Sequence, residues 1–131
     1  MSRRHERTRN DHATETAEDY VEAVAEVISA EGRCRVVDLA RYFAVSHATV
    51  SKIVKRLVAE GLLKSEPYQP IELTTRGARL AKKSRERHET IYRFLVALGI
   101  SPTTAEIDAE GMEHHVSQET LRRFEAFLKD R

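Results

Sequence analysis

Glu110, Glu113 and His114 stand at i, i+3 and i+4 in the sequence, a spacing that places side chains on one face of a helix. Two carboxylates and an imidazole converging in this way suit a divalent cation; without one, the two carboxylates repel. Asp19 and Glu22 repeat the i, i+3 spacing near the N-terminus, nearly opposite the apolar stripe of their own segment. His88 lies beside the apolar stripe of a long central segment and offers a further nitrogen. An oxygen-rich set with one or two imidazoles and no thiolate favours Mn2+ or Fe2+ over structural zinc.

Each group taken alone also has a plain structural reading. Asp19 and Glu22 are the first-turn acids that a helix dipole favours, with Thr16 as cap. His88 alone fits a packed or hydrogen-bonded histidine, and the Glu-x-x-Glu-His group does not decide the matter by itself. His5 and His12 read as tail residues, and His115 as either a supporting residue of the site or a surface one.

The elements that must position these residues are mostly helices. Gly and Pro are scarce, at five and three residues, and 33% of the chain is charged, a balance that favours helix. Residues 1–14 are polar and aperiodic and are expected to form a disordered arm. Tyr20, Val24, Val27 and Ile28 predict a helix over about 17–30, stopped at Gly32. A short helix is predicted over 36–43, then a turn at Val45-Ser46, with Ser46 as N-cap. The next helix runs from His47 to Glu60 on a stripe of Val50, Ile53, Val54 and Leu57, and Gly61 closes it. Two short apolar runs, 62–64 and 71–74, flank a loop holding Pro67 and Pro70 and predict a hairpin. A long helix to about Leu98 follows, with Leu80, Ile91, Phe94, Leu95 and Leu98 as its stripe. Ser101-Pro102 starts a helix reaching about His115, and Ser117 caps a last one carrying Leu121, Phe124, Phe127 and Leu128.

Three helices and a hairpin, with a short turn between the second and third helix, form the winged helix-turn-helix pattern. The third helix has the polarity of a recognition helix: His47, Ala48, Thr49, Ser51, Lys52, Lys55 and Arg56 fall outside its apolar stripe. Small and polar residues at its N-terminal end let it enter the major groove. There Ser, Thr and Lys donate to phosphates or bases, and Ala48 or the Thr49 methyl meets a thymine methyl. Lys64 and Tyr68 in the hairpin are candidates for contacts to the DNA backbone. The competing reading is a helical bundle with one basic exposed helix.

The net charge of +1 conceals a segregation. Residues 16–32 carry five acids and no Lys or Arg; residues 33–64 carry seven bases against Asp38 and Glu60; residues 94–131 carry seven acids against four bases. A basic middle between acidic segments fits a nucleic-acid surface beside a cation site. The single cysteine, Cys34, excludes an internal disulfide and a cysteine-built metal site. No apolar run has membrane-spanning length and the N-terminus lacks a signal-peptide core, so the expected location is the cytoplasm.

At Glu18-Asp-Tyr-Val-Glu22, Arg87-His-Glu89 and Asp108-Ala-Glu-Gly-Met-Glu-His-His-Val-Ser117 the chain resembles the manganese transport regulators. These lie within the diphtheria-toxin-repressor family of metal-dependent transcriptional repressors. The resemblance runs from about Glu15 to the C-terminus and is looser over Val45–Lys52. It implies a mostly α fold: a winged helix-turn-helix domain with a two-stranded β wing over 15–75, then a helical metal-binding and dimerisation domain over 76–131. It also implies a binuclear metal site between the domains with Asp19, Glu22, His88, Glu110, Glu113 and His114 as ligands, and DNA contacts from His47, Ala48, Thr49 and Lys52. Iron-type members are similar but have Met in place of Asp19 and Cys in place of Glu110, and usually carry a C-terminal SH3-like domain that these 131 residues do not reach. The harder carboxylates favour Mn2+.

The expected function is that of a homodimeric, Mn2+-dependent repressor. It binds palindromic operator DNA to control manganese homeostasis, with two Mn2+ per subunit and Fe2+ as the alternative ion. It is not an enzyme and has neither a membrane nor a small-molecule substrate as partner. One rival keeps the winged helix but gives it a non-metal ligand. A metallohydrolase built on Glu110, Glu113 and His114 lacks an evident nucleophile and an H-E-x-x-H pairing.

Overall fold

The computed structural model describes residues 3–131, with side chains from His12 onward. In chain order the elements are α1 (Arg3–Glu31), α2 (Val36–Phe43), α3 (His47–Ala59), β1 (Leu63–Lys64), β2 (Glu72–Leu73), α4 (Thr75–Ala97), α5 (Pro102–Met112) and α6 (Gln118–Lys129). The first helix begins well before the expected start near Ala17, so Arg3–Thr14 is helix and not a disordered arm. That stretch contains neither Gly nor Pro, and its Arg, Glu and Ala residues are good helix formers, so nothing breaks the helix upstream of its apolar stripe. Met1, Ser2 and the side chain of His5 lie outside the described residues.

The chain divides into two compact units, Thr16–Lys82 and Lys83–Arg131 with Met1–Glu15. The division falls inside α4, where Leu80 and Ala81 still pack on the first core.

In the first unit the core is formed by Val21 and Val24 of α1, Leu39 of α2, Val50 and Leu57 of α3, and Leu63 and Ile71 of the wing. Tyr20 stacks on Phe43 with ring centroids 4.4 Å apart. The Tyr42 hydroxyl donates to Glu26 at 2.6 Å, which ties α2 to α1. Between α2 and α3 the reversal is made by Ala44, at φ 55. Its N–H bonds back to the carbonyls of Ala40 and Arg41. Ser46 Oγ then accepts from the Thr49 N–H at 3.1 Å, as an N-cap should. Leu63 pairs with Leu73 and Lys64 with Glu72 in an antiparallel wing. Cys34 adds a bridge to Ile71, whose N–H donates to the Cys34 carbonyl at 2.7 Å.

In the second unit Ile91 and Leu95 of α4, Ala105 and Ala109 of α5 and Leu121 of α6 form a separate core. Phe94 and Phe124 stack at 3.9 Å. Gly99, at φ +100, follows the end of α4, and Ser101 with Pro102 opens α5. Two expectations are corrected. Leu98 lies beyond the last turn of α4 and is 55% exposed, so it is not part of the stripe. The α5 helix ends at Met112, not near His115; Gly111 weakens its last turn and the His115 N–H closes a tight turn on the Met112 carbonyl.

Candidate metal centre and nucleic-acid interface

The geometry that bears on chemistry in the second unit is centred on His88, which α4 presents toward the C-terminal half of α5. His88 Nδ1 lies 3.6 Å from Glu110 Oε1 and 3.5 Å from Glu113 Oε2. His114 Nε2 approaches the other oxygen of Glu113, also at 3.5 Å. These separations exceed a good hydrogen bond, and His88 Nδ1 is buried without a hydrogen-bond partner. Glu113 is completely buried, whereas Glu110 is 60% exposed. A buried carboxylate is costly unless a cation or a proton neutralises it. The donor set therefore fits a hard divalent ion: carboxylate oxygens and imidazole nitrogens gathered at separations too long for good hydrogen bonds between them.

Four of the six expected ligands thus meet within one unit: His88, Glu110, Glu113 and His114. Asp19 and Glu22 belong to the other unit, on α1, where both are half-buried between the fully packed Ala17, Tyr20, Val21, Ala23 and Val24. His115 pairs with Glu15 at 3.4 Å. One residue was not anticipated. Glu106 Oε1 lies 2.9 Å from His88 Nε2, and its i, i+4 relation to Glu110 was the available signal.

On α3 every expected DNA-facing residue is exposed: His47, Ala48, Thr49, Ser51 and Lys52, with Lys55 and Arg56 beyond them. Val50, Val54 and Leu57 hold the opposite face in the core. Thr49 Oγ1 lies 2.9 Å from Ser46 Oγ, so its hydroxyl is engaged in the cap. Arg56 pairs with Glu60 at 3.5 Å. Lys64 is exposed on the wing, and Tyr68 at its tip is 95% exposed with φ 65.

A recognition helix with a basic outer face, a short wing and a separate acid–imidazole cluster define a winged-helix transcriptional regulator with an ion-binding helical unit. Comparison with known proteins agrees region by region. Residues 12–71 match the iron dependent repressor N-terminal DNA binding domain, and residues 74–131 match the iron dependent repressor metal binding and dimerisation domain. The transcriptional regulator MntR of Escherichia coli O6:H1 is 46% identical over 121 residues, covering 92% of this chain and 78% of the relative. The HTH-type transcriptional regulator MntR of Lysinibacillus sphaericus is 34% identical, covering 84% and 79%. Among solved structures, the manganese regulator SloR superposes with a TM-score of 0.74 at 29% identity, covering 86% of this chain and 53% of its own. A manganese-dependent transcriptional repressor in complex with manganese gives 0.75 at 29% identity, covering 86% and 52%. The chain spans about half the length of these solved structures. It belongs to the manganese transport regulators of the diphtheria-toxin-repressor family, which are transcriptional regulators and not enzymes.

Proposed function

We propose that this chain is a Mn2+-dependent transcriptional repressor that binds a palindromic operator as a homodimer and controls manganese homeostasis genes. The observation that carries the reading is the convergence of His88 Nδ1 on Glu110 and Glu113, in a chain whose α3 presents an exposed recognition face. A bound Mn2+ would supply positive charge to these carboxylates and a Lewis-acidic centre for His88 Nδ1. Asp19 and Glu22 complete the ligand set, as the family resemblance implies, with two ions per subunit. His47, Ala48, Thr49, Ser51 and Lys52 face the DNA.

Val96, Leu98, Ile107 and Phe127 are exposed apolar side chains of the second unit. They support a second copy as the partner, and two recognition helices related by a two-fold axis fit two half-sites. No helix among the described residues is long and apolar enough to cross a membrane, and the site of action is the cytoplasm.

In this mechanism the charged side chains of the ligand set repel one another until they are neutralised. Ordering them reduces the cost of placing two recognition helices on one operator. Linkage then requires operator DNA to tighten metal binding by the factor that metal tightens operator binding. Operator affinity titrated against Mn2+, Fe2+ and Zn2+ after chelation, at fixed ionic strength, is the test. Metal-independent binding overturns the reading. Stronger activation by Fe2+ than by Mn2+ supports the second reading, an iron-responsive repressor, iron being the metal for which both matched family models are described.

A further inference from the structure

We propose that Glu106 is a positioning residue for His88, acting on the edge of the imidazole that faces away from the metal ligands. The inference rests on the metal-site reading above. Glu106 Oε1 lies 2.9 Å from His88 Nε2, within hydrogen-bond range. On the other edge of the same ring Nδ1 is buried, makes no hydrogen bond, and lies 3.5–3.6 Å from Glu113 and Glu110. A neutral imidazole has one N–H and one lone pair. A carboxylate is acceptor only, so Glu106 fixes the N–H at Nε2 and leaves the lone pair on Nδ1, where the two carboxylates converge. The opposite tautomer would present N–H to an ion, and a ring flipped about Cβ–Cγ would present Cδ2–H; neither has a lone pair to offer.

The arrangement is economical in sequence. Glu106 and Glu110 are one turn apart on α5, so the helix that supplies a ligand also supplies the group that orients the histidine from α4. Metal-bound histidines are commonly held by a carboxylate on the distal nitrogen in this way.

The test separates this role from two competing readings. One takes the pair as an exposed ion pair of no consequence, since Glu106 is 56% exposed and such pairs contribute little. The other makes Glu106 a ligand, because His88, Glu106 and Glu110 each offer one atom within 4.8 Å of the others. The engagement of Glu106 with Nε2 argues for an orienting role.

The experiment measures Mn2+ affinity of DNA-free protein for the wild type, Glu106→Ala and Glu106→Gln, following free Mn2+ by electron paramagnetic resonance. In parallel, nitrogen-15 spectra of the histidine rings report which nitrogen carries the proton. Glu106→Ala should lose about tenfold in affinity, the low end of the range for such outer partners, with an unchanged melting temperature in the absence of metal. Glu106→Gln keeps a carbonyl acceptor and should stay within about threefold of wild type, with the proton held on His88 Nε2. Wild-type affinity in Glu106→Ala overturns the proposal in favour of a surface pair. Equal losses in the Gln and Ala variants overturn it in favour of a ligand or a long-range charge. Failure of the wild type to bind Mn2+ would instead remove the metal-site reading on which the proposal rests.

Discussion

The backbone of Gly77 lies so close to the carbonyl of Leu62 that a Cβ added there would sit 2.0 Å from its oxygen. Nearby, Thr74 Oγ1 accepts from the Gly77 N–H at 3.0 Å and donates to the Gly61 carbonyl at 2.7 Å. The end of the recognition helix, the base of the wing and the first turn of α4 are thereby held to one another by backbone contact. Gly77→Ala should destabilise the protein by at least about 2 kcal/mol through this overlap, although helix propensity alone favours Ala by about 1 kcal/mol. Denaturant unfolding decides between the two signs.

Ala44 carries the helix-turn-helix reversal in a left-handed conformation that costs a residue with a Cβ about 1–2 kcal/mol. Ala44→Gly relieves that cost but adds about 0.5–1 kcal/mol of chain entropy to the unfolded state. The expected net is a gain of about 0.5–1 kcal/mol, seen as a higher melting temperature with unchanged operator affinity.

Burial pushes the Cys34 thiol up to about 12, with Asp38 and Glu31 adding to the shift. The folded state then holds this proton more tightly than the unfolded state does. Its contribution to stability is complete below about pH 9, the ordinary value, and is lost as the pH rises from there toward 12. Iodoacetamide at pH 8 should therefore label Cys34 only in unfolded protein; rapid labelling of the native protein would contradict the burial argument.

Glu113→Gln removes a buried charge while keeping the shape of the side chain. The rise in melting temperature that Mn2+ gives the wild type should disappear in this variant. Glu110→Ala and His114→Ala should likewise lose Mn2+-dependent operator retention in a gel-shift assay.

Lys52→Ala separates output from sensing. Operator affinity should fall, and the slope of log affinity against log salt should become shallower by about 0.9 if Lys52 neutralises one phosphate. Mn2+ affinity of the DNA-free variant should match that of the wild type.

The recognition helix was legible because four signals agreed: the Val50–Val54–Leu57 period, the Ser46 cap, Gly61 and the following hairpin. The residue that turns the chain was not, since Ala44 carries no sign of a left-handed conformation that the surrounding packing imposes. Arg3–Thr14 misled for the opposite reason. Its polarity suggested an arm, but polarity does not prevent a helix from continuing upstream of one that packing already holds. In the candidate site, the local i, i+3 and i+4 spacing identified Glu110, Glu113 and His114, while His88 was flagged only by its place beside a stripe. For Glu106, helical spacing offered only its i, i+4 relation to Glu110; its contact with His88, 18 residues away in the chain, is not encoded by that spacing.

Exposure across the acid–imidazole cluster is graded, from Glu113 at 0% through His88 at 15% to Glu106 and Glu110 at 56% and 60%. The consequence is kinetic. An ion held by ligands that solvent can reach on one side can trade them for water one at a time, so departure does not require the unit to unfold. A cluster sealed on every side would retain its ion long after supply had fallen. In the proposed site, the open edge at Glu106 and Glu110 would keep occupancy in step with the surroundings, so that release could be as prompt as capture.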